Sequence, residues 1–388
     1  MALFDEELFE ASLPIASDEW TKTTLAALPT CKGVLLFTDA PGRPIQLLQA
    51  ANLRRTAQAK LIRQDSVSPH RKTDISDLAT TIFYLGCDNH FELQLVYIRL
   101  AHAVFQKTAS DWIQLPKVSL AVIETDAYLP YFSISDNPQT TQNRRVFGLF
   151  PTRKSAAEFC EILNAVFGLC RNPSLLNTGR EASCPYRQME TCPGPCLNAR
   201  LQQHYSDAVR RACAAAGGRI EQAMDERHEQ MNQASRAMQF EEAGQLKKSI
   251  ESLKKLTAND FDWVSDLEKL CVLHIDAGEK RKIAGKNKKR QVYKAYKITA
   301  RNVCECGGFV PKSSRQVLSF LGHCRHNERT LVYTSKQKEH LAMLSLFLFR
   351  SNQSGLWLNS IHGVPEKSYH RLTEMRASKN SAASKSAF

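Results

Sequence analysis

The sequence predicts an α/β protein of several domains: a small α/β domain, a cysteine-rich segment, a helical hairpin, and a small α/β or β-rich domain at the C-terminus. Three observations predict this class. Short apolar runs bounded by turn residues precede residue 151, four cysteines gather between 170 and 196, and apolar residues then recur at helical spacing to residue 256. At 388 residues the chain is long enough to bury more than one core.

Charge points to a polyanionic partner. The net charge is +13 and the isoelectric point is near 9.2. Nucleic acid is the first candidate, because neutralising phosphates releases bound counterions. Charge alone leaves open a basic surface that has no such role.

Two features argue against a membrane or secreted protein. No apolar run approaches the roughly 20 residues that span a bilayer. The first twenty residues are acidic, where a signal peptide would be basic. We therefore expect a cytoplasmic location, with reduced cysteines unless they bind a metal.

The first α/β unit, residues 25–108, follows an acidic leader at 1–24. Residues 33–37 and 44–48 form two short strand patterns around a turn, which together predict a β-hairpin. Asn52 is expected to cap a basic helix that begins at Leu53. The pattern from 74 to 103 indicates helix with a break near 86–89, and Glu92 opens the later part.

The run from Leu28 to Arg55 is LPTCKGVLLFTDAPGRPIQLLQAANLRR, and it resembles the opening of the GIY-YIG nuclease domain of the UvrC family, which makes the incisions in bacterial nucleotide excision repair. In that family two tyrosines, a glycine, a lysine and an arginine accompany a metal-binding glutamate. The resemblance retains Gly33 and Glu92. The other positions differ: Leu35 and Gln46 replace the tyrosines, Leu48 the glycine, Gln49 the lysine and Thr56 the arginine.

The resemblance implies a nuclease fold without its chemistry. The family's tyrosine or its water partner attacks the phosphodiester, the arginine stabilises developing charge, and the glutamate anchors a divalent cation. We therefore expect no catalytic residues here, with Gly33 and Glu92 vestigial. Glu92 can equally be a partner of its helix dipole. Arg54 and Arg55 remain candidate contacts to nucleic acid.

Residues 109–169 predict a connector of strands and a helix. Strand patterns occupy 118–123, 131–135 and 146–151, and Ser155 is expected to cap the helix that follows. The run VFGLFPTRKSAAEFCEILNAVFGLC resembles the segment of UvrC that joins its nuclease domain to its cysteine cluster. The two matches are collinear.

Residues 170–205 hold a candidate metal centre. Its four cysteines, Cys170, Cys184, Cys192 and Cys196, are separated by 13, 7 and 3 residues. Four thiolates suit either Zn²⁺ or an iron–sulfur cluster, and a zinc site usually has one pair separated by two residues. Such a pair is missing from these four, which weakens zinc. The resemblance to UvrC implies a [4Fe–4S] cluster, with zinc as the alternative.

Residues 206–258 predict a helical hairpin, with helices at about Glu221–Met238 and Glu241–Leu256. Its apolar ridge is too small to be buried by the hairpin alone, so it needs a partner. The run ASRAMQFEEAGQLKKSIESLKKL resembles the UVR motif, through which UvrC meets UvrB. An internal hairpin is the alternative. The expected partner-binding residues are Phe240, Glu241, Ala243, Leu246 and Ile250.

The C-terminal α/β domain is expected at 259–362, followed by a disordered tail at 363–388 that is rich in Ser, Ala and Lys. A basic run ends in the candidate DNA contacts Lys286, Lys288, Lys289 and Arg290. The alternating stretch 292–298 predicts a strand whose Lys and Tyr side chains would contact phosphates and bases. A solvated hairpin loop is the alternative.

Together these patterns predict a UvrC-like accessory protein of DNA repair, which binds DNA by charge and a UvrB-type protein through the hairpin. A second hypothesis is a metal-dependent endonuclease that uses an altered site around Glu92. A third is a regulatory or assembly protein that pairs through the hairpin and does not act on DNA.

Overall fold

The computed structural model describes residues 4–14, 21–62, 75–282, 289–310, 319, 337–351 and 353–359. The described strands are β1 (Ala11–Pro14), β2 (Lys32–Thr38), β3 (Pro44–Ala50), β4 (Thr81–Cys87), β5 (Leu120–Glu124), β6 (Phe132–Ser135), β7 (Arg144–Gly148), β8 (Ser265–Asp266), β9 (Cys271–Lys282), β10 (Lys289–Thr299), β11 (Val303–Phe309) and β12 (Leu356–Asn359). The described helices are α1 (Lys22–Leu25), α2 (Leu53–Leu61), α3 (His90–Phe105), α4 (Ala109–Trp112), α5 (Arg153–Val166), α6 (Pro185–Gln188), α7 (Ala199–Ala216), α8 (Ile220–Arg236), α9 (Phe240–Lys255) and α10 (Gln337–Leu348). The predicted class, a multidomain α/β protein, is confirmed.

The N-terminal sheet has the antiparallel order β1-β4-β2-β3. Strand β2 is buried on both faces because its side chains alternate between two helical layers. Val34 and Leu36 belong to the core under α3, whereas Leu35 and Phe37 belong to the core under α2. A Cβ at Gly33 would lie 2.3 Å from the Leu85 carbonyl oxygen, so only glycine allows β4 to approach this closely.

The predicted β-hairpin and the Asn52 cap are confirmed, since the Asn52 side chain accepts the Arg55 N–H at 2.9 Å. The prediction of helix from residue 74 is wrong for residues 81–87, which form β4. The run Thr-Ile-Phe-Tyr is rich in β-branched and aromatic residues, and β4 pairs with β1 and β2 on its two edges. Pairing with both neighbours decides in favour of a strand.

The middle sheet, β6-β5-β7-β8, separates two cores. Ala121, Ile123 and Phe147 face a core shared with α5 and α7, and the opposite face joins the C-terminal domain. The three predicted strands are confirmed. The helix cap is Thr152 rather than Ser155, because the Thr152 hydroxyl accepts the Ser155 N–H at 3.0 Å.

The C-terminal sheet, β11-β10-β9-β12, packs against both other units. Its core centres on Phe91 of α3, which inserts among His274, Tyr296, Phe347 and Trp357 with ring centroids 4.9–5.5 Å away. The short strand β8 pairs with β7, so the chain beyond residue 258 completes the middle sheet before it forms its own. The predicted tail at 363–388 lies outside the described residues.

The hairpin of α8 and α9 begins and ends within three residues of the predicted limits. Its base packs on the middle domain, because Ala223, Leu253 and Leu256 belong to the core under α5 and α7. Arg227 fixes this contact by donating to the Val166 carbonyl oxygen at 3.0 Å, with its guanidinium 4.5 Å from the Phe167 ring. Within the described ranges, none of the helices is long and apolar enough to cross a bilayer.

Candidate functional site

The four candidate cysteines lie around one small cavity. Cys170, Cys184, Cys192 and Cys196 all line it, each is half-buried, and each is a free thiol. Burial raises the pKa of the Cys170 thiol, which its three cysteine neighbours raise further, against the opposing effect of the Asn172 N–H. The structure therefore brings together the four residues that the sequence placed in one segment.

The segment that carries these thiols is loop-rich. It contains two short turns of 3-10 helix and α6, and Pro195 is the one apolar side chain buried among residues 170–198 that the structure describes. Local contacts hold it instead. Arg171 donates to the Thr191 carbonyl oxygen at 2.9 Å and lies 4.0 Å from the Tyr186 ring centre. Polar and stacking contacts thus fold the loop back on itself.

One buried side chain ties the segment to the middle domain. The Tyr205 hydroxyl of α7 accepts the Cys170 N–H at 2.9 Å and donates to the Pro130 carbonyl oxygen at 2.8 Å. The pattern of the sequence did not single out Tyr205. The one signal in the sequence was its place nine residues beyond the last cysteine, Cys196, on the helix that follows.

The four thiols line a cavity and do not converge on a single position that one metal ion could occupy. In the described part of the chain, no three His, Cys, Asp or Glu side chains converge closely enough to hold a single metal ion. A tetrahedral zinc site would need all four sulfurs within about 2.3 Å of one ion. The present arrangement is more open than that.

Glu92 lies in a second candidate site, where three carboxylates meet one ammonium group. Lys294 Nζ is 2.7 Å from Asp88 Oδ2, 2.9 Å from Glu92 Oε1 and 3.6 Å from Glu305 Oε1. We call Asp88, Glu92 and Glu305 the carboxylate cluster. Its side chains are 9, 17 and 25% exposed, and that of Lys294 is 13% exposed. The sequence did not predict this meeting of distant residues.

The other positions of the nuclease motif are apolar or amide-bearing. Leu35 is fully buried, and the side-chain oxygen of Gln46 is buried without a hydrogen-bond partner among the described residues. The Gln49 side-chain amide donates to Gln94 Oε1 at 2.9 Å. Gln94 lies on α3, two residues beyond Glu92. Thr56 is half-buried on α2. These side chains supply hydrogen bonds and packing, with no ionisable group among them.

The candidate nucleic-acid contacts are scattered. Arg54 donates to the Leu28 carbonyl oxygen at 2.8 Å, Arg55 is exposed, Lys289 is exposed and Arg290 is half-buried. Lys286 and Lys288 lie outside the described residues.

Several side chains of the strand that is predicted to contact phosphates and bases make other contacts in the structure. Tyr293 and Tyr296 are buried, and Lys294 is paired with the carboxylate cluster. That prediction is wrong for these three side chains. The strand itself, β10, is confirmed.

The tip of the hairpin is apolar and exposed. Met238 is 77% exposed and Phe240 is 70% exposed, in contrast to the buried base. Along α9 the predicted contact residues become progressively covered: Glu241 is exposed, Ala243 and Leu246 are half-buried, and Ile250 is buried. Only the first of these positions, around Phe240, present an open surface.

Comparison with known protein families finds two matches. The family model of the UvrC/Cho excinuclease middle domain matches residues 118–215, and that of the UvrB/uvrC motif matches residues 228–256. The first match includes the four cysteines and Tyr205, and the second includes most of α8 and α9. No solved structure matches the chain.

Curated relatives agree with these matches. The chain is 23% identical over 256 residues to UvrABC system protein C of Ruminiclostridium cellulolyticum, which covers 63% of this chain and 40% of the relative. It is 34% identical over 122 residues to the protein of that name from Methylobacillus flagellatus, covering 31% and 20%. For Pseudomonas entomophila the identity is 25% over 251 residues, covering 61% and 39%. The chain thus spans about two-fifths of the length of the first of these relatives.

Proposed function

We propose, from the premise that this chain is a UvrC-like protein, that it serves nucleotide excision repair as an accessory factor that binds DNA and a UvrB-type partner. The observation that carries the proposal is the exposed apolar tip of a hairpin that matches the UvrB/uvrC motif. The hairpin's base is fixed to a domain that matches the UvrC middle domain. A rigid base and an open tip suit a docking element.

We propose that residues 25–108 form a degenerate GIY-YIG domain that does not cut DNA. Phosphodiester cleavage needs a nucleophile or a positioned water, a group that stabilises developing charge, and a metal ion. Leu35 and Gln46 supply no phenol, and Gln49 and Thr56 supply no positive charge. Glu92 remains, but its carboxylate already binds the Lys294 ammonium.

We propose that Cys170, Cys184, Cys192 and Cys196 hold a [4Fe–4S] cluster. The donor set fits, because such a cluster takes four thiolates, one at each corner, and needs a space between the sulfurs. The four thiols line one cavity, so the donor set a cluster needs is gathered in one place. When bound, the cluster would cross-link a segment that has no core of its own. Tyr205 would hold Cys170 in register through its N–H.

We infer DNA binding from the charge of the chain. The net charge of +13 favours a polyanion, and Arg55 and Lys289 are exposed. The run from Glu279 to Arg290 holds seven basic residues, so a phosphate backbone is a fitting counter-charge for it. Lys286 and Lys288 belong to the same basic run in the sequence.

The test replaces the exposed tip and measures binding to a purified UvrB-type protein. Phe240→Ala should weaken that binding by about thirtyfold or more, the size of a lost aromatic hot spot of about 2 kcal/mol. Stability should change by less than about 0.5 kcal/mol, because the side chain is 70% exposed. Titration calorimetry and urea denaturation give the two values.

Leu78→Ala is the matched control, since Leu78 is also a large exposed side chain, at 59%, and lies outside the hairpin. It should leave partner binding unchanged. Equal binding by wild type and Phe240→Ala would contradict the docking role. Plasmid nicking in Mg²⁺ or Mn²⁺ that is lost in Glu92→Ala would favour the endonuclease hypothesis instead. Partner binding without any salt-dependent DNA binding would favour the regulatory hypothesis.

A further inference from the structure

We propose that Lys294 is a built-in cation that fills the carboxylate cluster of Asp88, Glu92 and Glu305 in place of a divalent metal ion, and thereby fastens the C-terminal sheet to the nuclease-like domain. The inference rests on the proposed function and deepens it, because it names an internal cation that takes the place of a metal ion at Glu92, the one carboxylate retained from the nuclease motif. It is carried by three distances to a single nitrogen: 2.7, 2.9 and 3.6 Å.

The carboxylates are positioned by other hydrogen bonds before the lysine contributes. The Asp88 N–H donates to Glu92 Oε2 at 2.8 Å, so the two carboxylates sit on one turn at the start of α3. The Glu92 N–H in turn donates to the capping side chain of Asn89 at 2.9 Å. A site that is held rigidly in this way keeps its oxygens together even though like charges repel.

On the other side of the carboxylate cluster lie residues of the C-terminal domain. Asn89 donates to the Tyr296 hydroxyl at 3.0 Å, and the Glu279 N–H donates to Asp88 Oδ1 at 3.1 Å. A Cβ on Gly278 would come within 3.3 Å of the Asp88 side chain, so β9 approaches this carboxylate closely. Lys294 therefore enters the cluster as part of a tightly fitted contact between two domains.

The surroundings are strongly acidic in a chain that is basic overall. Burial raises the pKa of the Cys31 thiol, and nearby Glu279, Glu10 and Asp88 raise it further. The Glu10 side chain reaches the Gly86 N–H at 3.2 Å, at the end of the strand that leads into the cluster. Negative charge concentrated here attracts a cation and repels phosphate, so this face is unsuited to the DNA backbone.

The lysine matches what such a site demands. Burial by itself would lower the pKa of Lys294, but hydrogen bonds and attraction from Asp88, Glu92 and Glu305 raise it overall. Its ammonium stays charged and donates directly to two carboxylates. A Mg²⁺ ion keeps several of its waters and would need to displace the whole side chain. A tethered cation has no comparable loss of freedom on binding.

An ordinary interdomain salt bridge predicts a different outcome when the lysine is removed. A salt bridge leaves only an unpaired acidic patch, whereas a cation site whose occupant is deleted should accept another cation. Binding of a divalent ion to a Lys294 variant distinguishes the cation site from the ordinary salt bridge.

The experiment titrates full-length wild type, Lys294→Met and the control Lys289→Met with Mn²⁺, followed by electron paramagnetic resonance of the free ion. Lys294→Met should gain one Mn²⁺ site at least about tenfold tighter than any site in wild type, within the range of weak carboxylate sites, about 10⁻⁴–10⁻³ M. Lys289 lies on the same strand and is exposed, so its replacement should add no site. Lys294→Met combined with Glu92→Gln should lose the new site.

Removal of Lys294 leaves three carboxylates together, and the variant can be unstable. Thermal unfolding with and without Mn²⁺ covers that case: Mn²⁺ should restore part of the lost stability of Lys294→Met and leave wild type unchanged. The proposal is overturned if Lys294→Met neither binds Mn²⁺ nor is stabilised by it, or if wild type binds Mn²⁺ equally well in a Glu92-dependent way. Failure of the proposed function reads out separately, as DNA cleavage by wild type.

Discussion

The carboxylate cluster and the four-cysteine segment are both sites where like groups gather, but they are held together by different means. The carboxylates rest on a packed interdomain core, beside Phe91 and its aromatic neighbours, and receive a lysine from the same chain. The thiols sit on a loop-rich segment in which Pro195 is the one apolar side chain buried among residues 170–198 that the structure describes.

This difference indicates which of the two sites depends on a bound metal for its structure. Where packing and an internal counter-charge already supply order, a bound metal adds little and can be lost without harm to the fold. Where a segment has no core, its order must come from cross-links, as in small domains that depend on disulfides or metals. We therefore expect the cysteine segment, and not the carboxylate cluster, to change most when its ligands change.

The largest effect should come from Cys192→Ser. With the proposed [4Fe–4S] cluster at these cysteines, loss of one thiolate from four should reduce iron and sulfide to near background and open residues 170–198 to limited proteolysis. Metal and sulfide analysis of anaerobically purified protein, followed by peptide mapping, measures both. Cys31→Ser is the matched control, because Cys31 is a half-buried thiol outside the segment.

That comparison breaks if the segment of Cys192→Ser resists protease as well as wild type does. If wild type contains zinc in place of iron, the segment still depends on a bound metal, and only the identity of that metal changes.

A second effect should fall on the other region alone. Phe91→Ala empties the centre of the aromatic core and should lower the free energy of unfolding by about 3–5 kcal/mol, the usual cost for a buried phenylalanine. Urea denaturation measures the loss, with the exposed Phe240→Ala as control. Bound iron per folded molecule should not change, because Phe91 belongs to a different core from Tyr205. Parallel loss of iron would show that the two regions are one unit.

Sequence patterns predicted the local parts of this molecule well. Strands β2, β3, β5, β6 and β7 follow short apolar runs, and the hairpin follows its three- and four-residue spacing. The four cysteines are close in sequence, so their shared cavity needed only a folded loop. In each of these cases the contacts that decide the structure lie within a few tens of residues.

What the patterns missed depends on long-range contacts. The prediction of helix over strand β4 is wrong although its run Thr-Ile-Phe-Tyr favours a strand, because pairing with the distant strands β1 and β2 decides its structure. Lys294 was assigned to phosphate binding because its partner Glu92 lies 202 residues away. The base of the hairpin was expected to need a partner, and the structure gives it one in the same chain while leaving its tip open.

The smallest expected effect is an acid-dependent loss of stability in the interdomain core. His274 is fully buried, and burial lowers its pKa to about 3, although its bond to the Leu356 carbonyl oxygen opposes this. Its Nε2 has no hydrogen-bond partner among the described residues, so a second proton would have no acceptor there. The ring stacks on Trp357 at 3.7 Å between centroids, in surroundings that favour the neutral form.

Proton binding by His274 determines whether acid raises or lowers the free energy of unfolding. Unfolded His274 takes up a proton near pH 6.5, whereas folded His274 stays neutral down to about pH 3. The unfolded state therefore binds more protons between these values, and stability should be constant above about pH 6.5 and decline below it. Burial also lowers the pKa of His340, which adds to the decline in the same direction. Urea denaturation at pH 7.5 and 5.0 measures the difference for wild type and for His274→Phe, which keeps an aromatic ring against Trp357. The variant should lose less stability on acidification. An identical pH dependence in both proteins would show that the buried imidazole does not couple the aromatic core to pH, and would leave the acid response to groups outside it.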